Sequence, residues 1–187
     1  MLTSPENKWA TSISPDGKTV AFGTNDLWVL RLGPRPIAQA LTRTPFVEGA
    51  PAWSPDGRWL AYNSNESGRF EAYVGPASDP IRARRQVSTG GGVYVRWGPG
   101  ARELFYFSNF SDGRMMRAPF DPVTGLVGAP SQLFQGPYEP GVYSAPGYDV
   151  TPDGHRFLMV KTANEARPRE VRVVLNWTEV LSAKRRP

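Results

Sequence analysis

A tetrapeptide that occurs four times, once in degenerate form, limits what this chain can fold into. Ser14-Pro15-Asp16-Gly17 recurs as Ser54-Pro55-Asp56-Gly57 and as Thr151-Pro152-Asp153-Gly154, with a degenerate copy, Gly98-Pro99-Gly100-Ala101, between the last two. Its aspartate slots fall at 16, 56, 100 and 153, steps of 40, 44 and 53 residues. Fixed periods of this size mark repeat architectures in which each copy is one supersecondary unit. Each copy is a turn by its own chemistry. Proline sets φ near −65°, aspartate bonds nearby backbone N–H groups, and glycine accepts positive φ.

The flanks repeat as well. An apolar residue precedes each copy (Ile13, Trp53, Trp97, Val150), and alternating apolar residues follow it: Val20 and Phe22, Leu60 and Tyr62, Leu104 and Tyr106, Phe157 and Met159. Period-two alternation on both sides of a turn predicts a β-hairpin. A third strand reads at Leu27–Leu30, Ala72–Val74, Met115–Arg117 and Val171–Val174, and a fourth near Ile37–Leu41, Arg84–Val87 and Gln132–Phe134. The unit is therefore a four-stranded antiparallel meander of about 40 residues, repeated about four times. A lone meander cannot cover both of its faces, and radial stacking around a channel solves that problem. A two-sheet sandwich is the competing arrangement, which the even turn spacing disfavours.

Composition agrees with an all-β reading. The 187 residues include 19 glycines and 19 prolines, which break helices, while aromatics at 12% supply a core. The predicted class is an all-β propeller of four-stranded antiparallel blades, about four present. The blades fall at approximately 9–42, 46–88, 93–135 and 143–177, followed by a basic tail over 178–187, all in one propeller region spanning 1–187.

The pattern W-S-P-D-G-R-x-[LI]-A-[YF], followed by an aromatic-Val strand, resembles the TolB-like, WD-type propeller repeat. SPDGRWLAY at 54–62, SGRFEAYV at 67–74, QVSTGGG at 86–92, ELFY at 103–106, YDVTPDGHRFLM at 148–159 and VVLNWTE at 173–179 resemble one group more closely. That group is the C-terminal propeller of bacterial eukaryotic-like serine/threonine protein kinases. The resemblance runs from about Trp9 to the C-terminus. It implies six blades, so four suggest a partial or truncated propeller, completed by missing blades or by self-association. It also implies an extracytoplasmic setting; the compartment of this chain itself is left open. No HRD, DFG or glycine-rich ATP loop occurs.

Catalytic and cofactor chemistry finds little support. Cysteine is absent and His155 is the single histidine, which excludes thiolate sites and any metal site needing two imidazoles. His155 takes the slot held by Lys18 and Arg58 in sister repeats, and no G-x-S-x-G elbow presents a serine nucleophile. SISPDGKT at 12–19 ends like a phosphate loop but contains a proline and leads into a strand. One aspartate per turn cannot supply the six to eight oxygens calcium needs. No enzyme activity, cofactor or metal is expected. The net charge of +5 comes from 22 basic residues scattered among 17 acids, so no nucleic-acid stripe is expected either. No apolar run approaches a membrane span, and the first 20 residues lack the pattern of a signal peptide.

Meander order divides the loops between two rims. The Pro15-Asp16-Gly17, Pro55-Asp56-Gly57 and Pro152-Asp153-Gly154 turns occupy one. The other carries richer loops: Thr42–Gly49, Asn63–Phe70, Ser88–Tyr94, Ser108–Gly113 and Gly136–Tyr148. These hold Phe46, Glu48, Asn65, Glu66, Arg69, Tyr94, Asn109, Phe110, Tyr138, Glu139 and Tyr143. Aromatic, amide and arginine side chains on loops fixed by a rigid scaffold suit recognition of a protein, peptide or cell-envelope ligand. The expected function is a non-catalytic sensor or interaction module. A TolB-like envelope or transport scaffold and the propeller of a prolyl-peptidase-like hydrolase are the alternatives.

Overall fold

The computed structural model describes residues 8–142 and 145–161. Blade 1 comprises β1 (Trp9–Ile13), β2 (Thr19–Gly23), β3 (Leu27–Arg31) and β4 (Ile37–Ala40). Blade 2 comprises β5 (Glu48–Trp53), β6 (Trp59–Ser64), β7 (Glu71–Pro76) and β8 (Arg85–Gln86); blade 3 comprises β9 (Val93–Trp97), β10 (Glu103–Phe107), β11 (Arg114–Pro119) and β12 (Ser131–Gln135). Each is a four-stranded antiparallel meander in sequence order. Beyond them lie two hairpins, β13 (Gly141–Val142) with β14 (Ala145–Pro146), and β15 (Tyr148–Val150) with β16 (Phe157–Met159). The second hairpin carries the fourth tetrapeptide; the third strand read at Val171–Val174 lies outside the described residues. The fold is an all-β propeller whose sheets do not close into a ring among the described residues.

The three Pro-Asp-Gly copies build the same turn, whereas Gly98–Ala101 forms a short 3-10 turn without its side-chain network. In blade 1 the Gly17 N–H donates to the Ser14 carbonyl at 2.8 Å, and the Ser14 hydroxyl donates to Asp16 Oδ1 at 2.6 Å. The Lys18 N–H also donates to Asp16 Oδ1, at 3.0 Å, and the Thr19 N–H to Ser14 Oγ, at 2.9 Å. Ser54, Asp56, Arg58 and Trp59 repeat this network, as do Thr151, Asp153, His155 and Arg156. His155 thus contributes its backbone to a turn. The hydroxyl of Ser14 holds the Asp16 carboxyl below the usual carboxylate range, and that of Thr151 does the same for Asp153. The turns also nest. A Cβ on Gly57 would meet Pro15 Cδ at 3.4 Å, and one on Gly154 would meet Pro99 Cδ at 2.7 Å, so the proline of one turn lies on the glycine of the next.

The core lies between blades. Leu27, Ala21 and Val29 of blade 1 pack with Leu60, Tyr62 and Tyr73 of blade 2. Trp59, Ala61, Ala72, Val74 and Val87 meet Val95, Leu104, Tyr106, Ala118 and Phe120 of blade 3. Phe105, Phe107 and Met115 continue to Tyr148. The fully buried Tyr148 hydroxyl donates to the carbonyls of Tyr94 and Phe105, and burial pushes its pKa upward. Thr11, Trp53, Arg96 and Asp149, from the first strand of each hairpin, share one cleft of about 460 Å³.

Two residues read as loop side chains are strand residues instead. Glu48 opens β5 at 2% exposure, and Tyr94 lies in β9 at 2%. Tyr94 sits where the β9–β10 register shifts and adopts φ 56°, a bulge that turns its ring inward beneath the rim. Ala50 takes φ 48° at the same step of β5, three residues before Trp53 as Tyr94 is before Trp97.

Candidate functional site

The loop-rich rim is shaped by unequal loop lengths. Only Thr24, Asn25 and Asp26 join β2 to β3, whereas residues 65–70 join β6 to β7 and residues 108–113 join β10 to β11. The two longer loops are neighbours and overhang the junction of blades 2 and 3. Between them opens a pocket of about 300 Å³ lined by Arg69, Phe70, Gly90, Gly91, Val93, Ser108, Asn109 and Phe110.

A buried carboxylate organises this pocket. Glu71, 1% exposed, accepts from the Ser88 hydroxyl and from the Gly91 N–H at 3.0 Å, and Arg69 Nε pairs with its Oε1 at 3.0 Å. Ser88 Oγ in turn accepts from the Ala72 N–H at 2.8 Å. Burying a carboxylate is tolerable when donors satisfy its lone pairs, as here. Gly91, at φ 108°, runs so close to blade 3 that a Cβ would fall 2.0 Å from the Ser108 carbonyl oxygen. No other residue type fits that approach. Phe70 and Phe110 meet edge to face at 5.3 Å, and Tyr94 and Phe110 at 5.6 Å. Phe110 nevertheless remains 47% exposed, and the Arg69 side chain 67%.

The anticipated rim residues are therefore not one surface. Arg69, Asn109 and Phe110 come together at this pocket, with Tyr94 buried under Phe110. Asn109 Oδ1 accepts from the Ser111 and Asp112 N–H groups, holding its loop. Glu66 lies on the same loop as Arg69 but pairs with Arg84 at 2.7 Å. Asn65, Phe46 and Glu48 belong to the junction of blades 1 and 2, where Asn65 Oδ1 accepts from the Val47 N–H at 2.8 Å. Phe46 is 40% exposed there. Glu48 accepts from the Thr44 hydroxyl at 2.6 Å, its Oε2 has no partner among the described residues, and burial pushes its pKa upward. Tyr138 packs on Phe134 at 5.7 Å, farther round the rim, and Tyr143 lies outside the described residues.

Glu71 and Ser88 are the residues that loop reading missed. A signal existed, because blade 1 repeats the device. Thr42 donates to Asp26 Oδ1 at 3.1 Å and accepts from the Leu27 N–H at 2.7 Å. An acid at or just before the start of the third strand and a Ser or Thr 16 or 17 residues later form the pattern. In blade 3 Arg114 takes the acid's place. Among the described residues no three of His, Cys, Asp and Glu gather as a metal cluster, and no helix is long and apolar enough to cross a membrane.

No family model and no curated protein matches the chain. Solved structures do. A putative TolB from Agrobacterium tumefaciens superposes with a TM-score of 0.61 at 20% identity, over 84% of this chain and 59% of that one. TolB from Acinetobacter baumannii gives 0.68 at 18%, over 88% and 40%. An oligogalacturonate lyase in complex with manganese gives 0.53 at 16%, over 77% and 42%. These likenesses establish the TolB-like propeller fold, which serves enzymes and non-enzymes alike. The chain spans 59% and 40% of the two TolB proteins it resembles.

Proposed function

We propose that the chain is a non-catalytic recognition module that binds a peptide or protein segment at the junction of blades 2 and 3. The pocket between the two long loops carries this reading. It is concave and mostly apolar, walled by aromatic rings, and bordered by an exposed loop arginine that pairs with the buried Glu71. Selection from a displayed random-peptide library against the chain tests it. Selected peptides are expected to bind the Arg69→Ala/Phe110→Ala double variant at least tenfold more weakly, with circular dichroism unchanged. Equal affinity for both proteins would move the site elsewhere.

The sequence resemblance supports a sensory propeller working beside a serine/threonine kinase. The two TolB structures favour the alternative of an envelope scaffold. Gene neighbourhood separates them: a kinase frame upstream supports the first, an envelope lipoprotein gene the second.

A further inference from the structure

The pocket has two chemically distinct parts, and together they specify a class of ligand. Its floor and walls are Phe70, Val93, Phe110 and the backbone of Gly90 and Gly91, a volume of about 300 Å³ suited to a single large apolar side chain. Its border is Arg69. Arg69 Nε lies 3.0 Å from Glu71 Oε1 in an ion pair, and the side chain is 67% exposed. An arginine held at Nε keeps its two Nη groups as a planar fork, the geometry that matches a carboxylate with two parallel hydrogen bonds. The ion pair with buried Glu71 ties the guanidinium to the pocket's border before any ligand arrives, which lowers the ordering cost of binding. A chain of net charge +5 also draws acidic partners by long-range attraction.

Resting on the recognition role proposed above, we infer that the pocket takes a large apolar side chain whose neighbouring carboxylate pairs with Arg69. Two sources present that chemistry: the free C-terminus of a chain ending in an apolar residue, and an internal Asp or Glu adjacent to one. Phe110 covers the apolar side chain, edge to face where that side chain is aromatic. The Arg69 contact supplies charge selection and salt dependence.

Titration calorimetry on the intact chain with four probes tests the inference: N-acetyl-phenylalanine, its primary amide, N-acetyl-phenylalanyl-glutamate diamide (both the α- and γ-carboxyl groups amidated), and the same peptide with the glutamate side chain free. The carboxylate-bearing probe of the correct source is expected to bind at least tenfold more tightly than its amide. Binding by the free acid of phenylalanine indicates a C-terminus, and binding only by the glutamate side chain indicates an internal acid. Arg69→Gln should abolish the preference for acid over amide, and Arg69→Lys should restore part of it, because charge returns without the fork. Phe110→Ala should weaken every probe. Equal binding of acid and amide to the wild-type chain overturns the carboxylate assignment, and so does an acid preference that survives in Arg69→Gln. Should no probe bind while library-selected peptides still depend on Arg69 and Phe110, the ligand class is wrong but the recognition site stands. Should selected peptides ignore both residues, the site itself fails.

Discussion

The two blade junctions on the loop-rich rim solve one packing problem with different chemistry. Between blades 1 and 2, a half-buried Asp26 clasps Thr42, the connecting loop is three residues, and Glu48 is buried with one oxygen unpartnered. Between blades 2 and 3, a fully buried Glu71 has donors from Ser88, Gly91 and Arg69, and two long loops leave an apolar pocket. The first junction leaves a buried carboxylate oxygen unpartnered; the second satisfies its buried carboxylate and opens a pocket. A surface that must receive a ligand needs walls that hold still without one, and complete hydrogen bonding of the buried carboxylate provides that. What differs between the junctions is mainly loop length.

The largest expected effect comes from forcing the second junction open. Gly91→Ala places a methyl group 2.0 Å from the Ser108 carbonyl at a φ of 108°, so the blade 2 loop must leave blade 3. A loss of about 3 kcal/mol or more in urea denaturation is expected, from backbone strain and steric clash together. A loss under about 1 kcal/mol would show that the loop yields freely and that the pocket is not rigid.

Next in size is removal of the acids. Glu71→Ala strips the carboxylate from Ser88, Gly91 and Arg69 and leaves buried donors unpaired, a cost of about 3 kcal/mol. Asp26→Ala removes a partly exposed carboxylate from Thr42 and should cost about 1 kcal/mol. Equal losses in denaturation midpoints at unchanged slope would erase the distinction drawn between the junctions.

The contrast was only partly legible in the sequence. Hairpins could be read because Asp16, Asp56 and Asp153 act locally, on the N–H two residues ahead. Third and fourth strands followed from the repeat, so Leu27–Arg31 and Ser131–Gln135 lie within a residue or two of where alternation put them. The junctions were harder. Glu71 meets Ser88 across 17 residues, and nothing in a single loop advertises that pairing. Tyr94 reads as a loop aromatic because its burial depends on a bulge at positive φ, which tyrosine does not signal. Arg69 and Phe110 were legible as exposed loop residues, but their convergence on one pocket depends on how blades 2 and 3 stack.

Smaller still is the effect of Glu48. Burial raises its folded pKa above the ordinary glutamate value of 4.5, so the charged form weakens the folded state. The sign follows directly: the penalty is absent below the unfolded pKa, grows as pH rises through the window between the two values, and is complete above the folded one. Glu48→Gln keeps an acceptor for the Thr44 hydroxyl and should stabilise the chain at pH 7 by less than the Asp26→Ala loss. That gain should fade as the pH is lowered toward 4.5 and be absent below it. The turn aspartates run the other way. Asp16 and Asp153 have lowered pKa values, so their contribution is present above the unfolded value and lost as pH falls through the folded one. A melting series of wild type and Glu48→Gln from pH 7 to pH 3 separates the two. A gain that persists unchanged in acid would mean that Glu48 is not charged in the folded state at neutral pH.

The least effect on stability should come from the residue that matters most for binding. Phe110 is 47% exposed and touches Phe70 and Tyr94 only edge to face. Its truncation to alanine forfeits part of one ring's burial, about 1 kcal/mol or less, because the ring is already half in water. Phe107, three residues earlier and fully buried against Tyr148, should cost about 3 kcal/mol or more when truncated the same way. The pair therefore separates support from recognition within one loop and the strand that feeds it. Phe107→Ala should lower the melting temperature and weaken ligand binding only through loss of folded protein, so its affinity per folded molecule stays near wild type. Phe110→Ala should leave melting almost unchanged and lose affinity outright. If calorimetry found the two variants equally impaired per folded molecule, the half-exposed ring would be a strut like its neighbour, and the open junction would be a gap in packing rather than a place for a ligand.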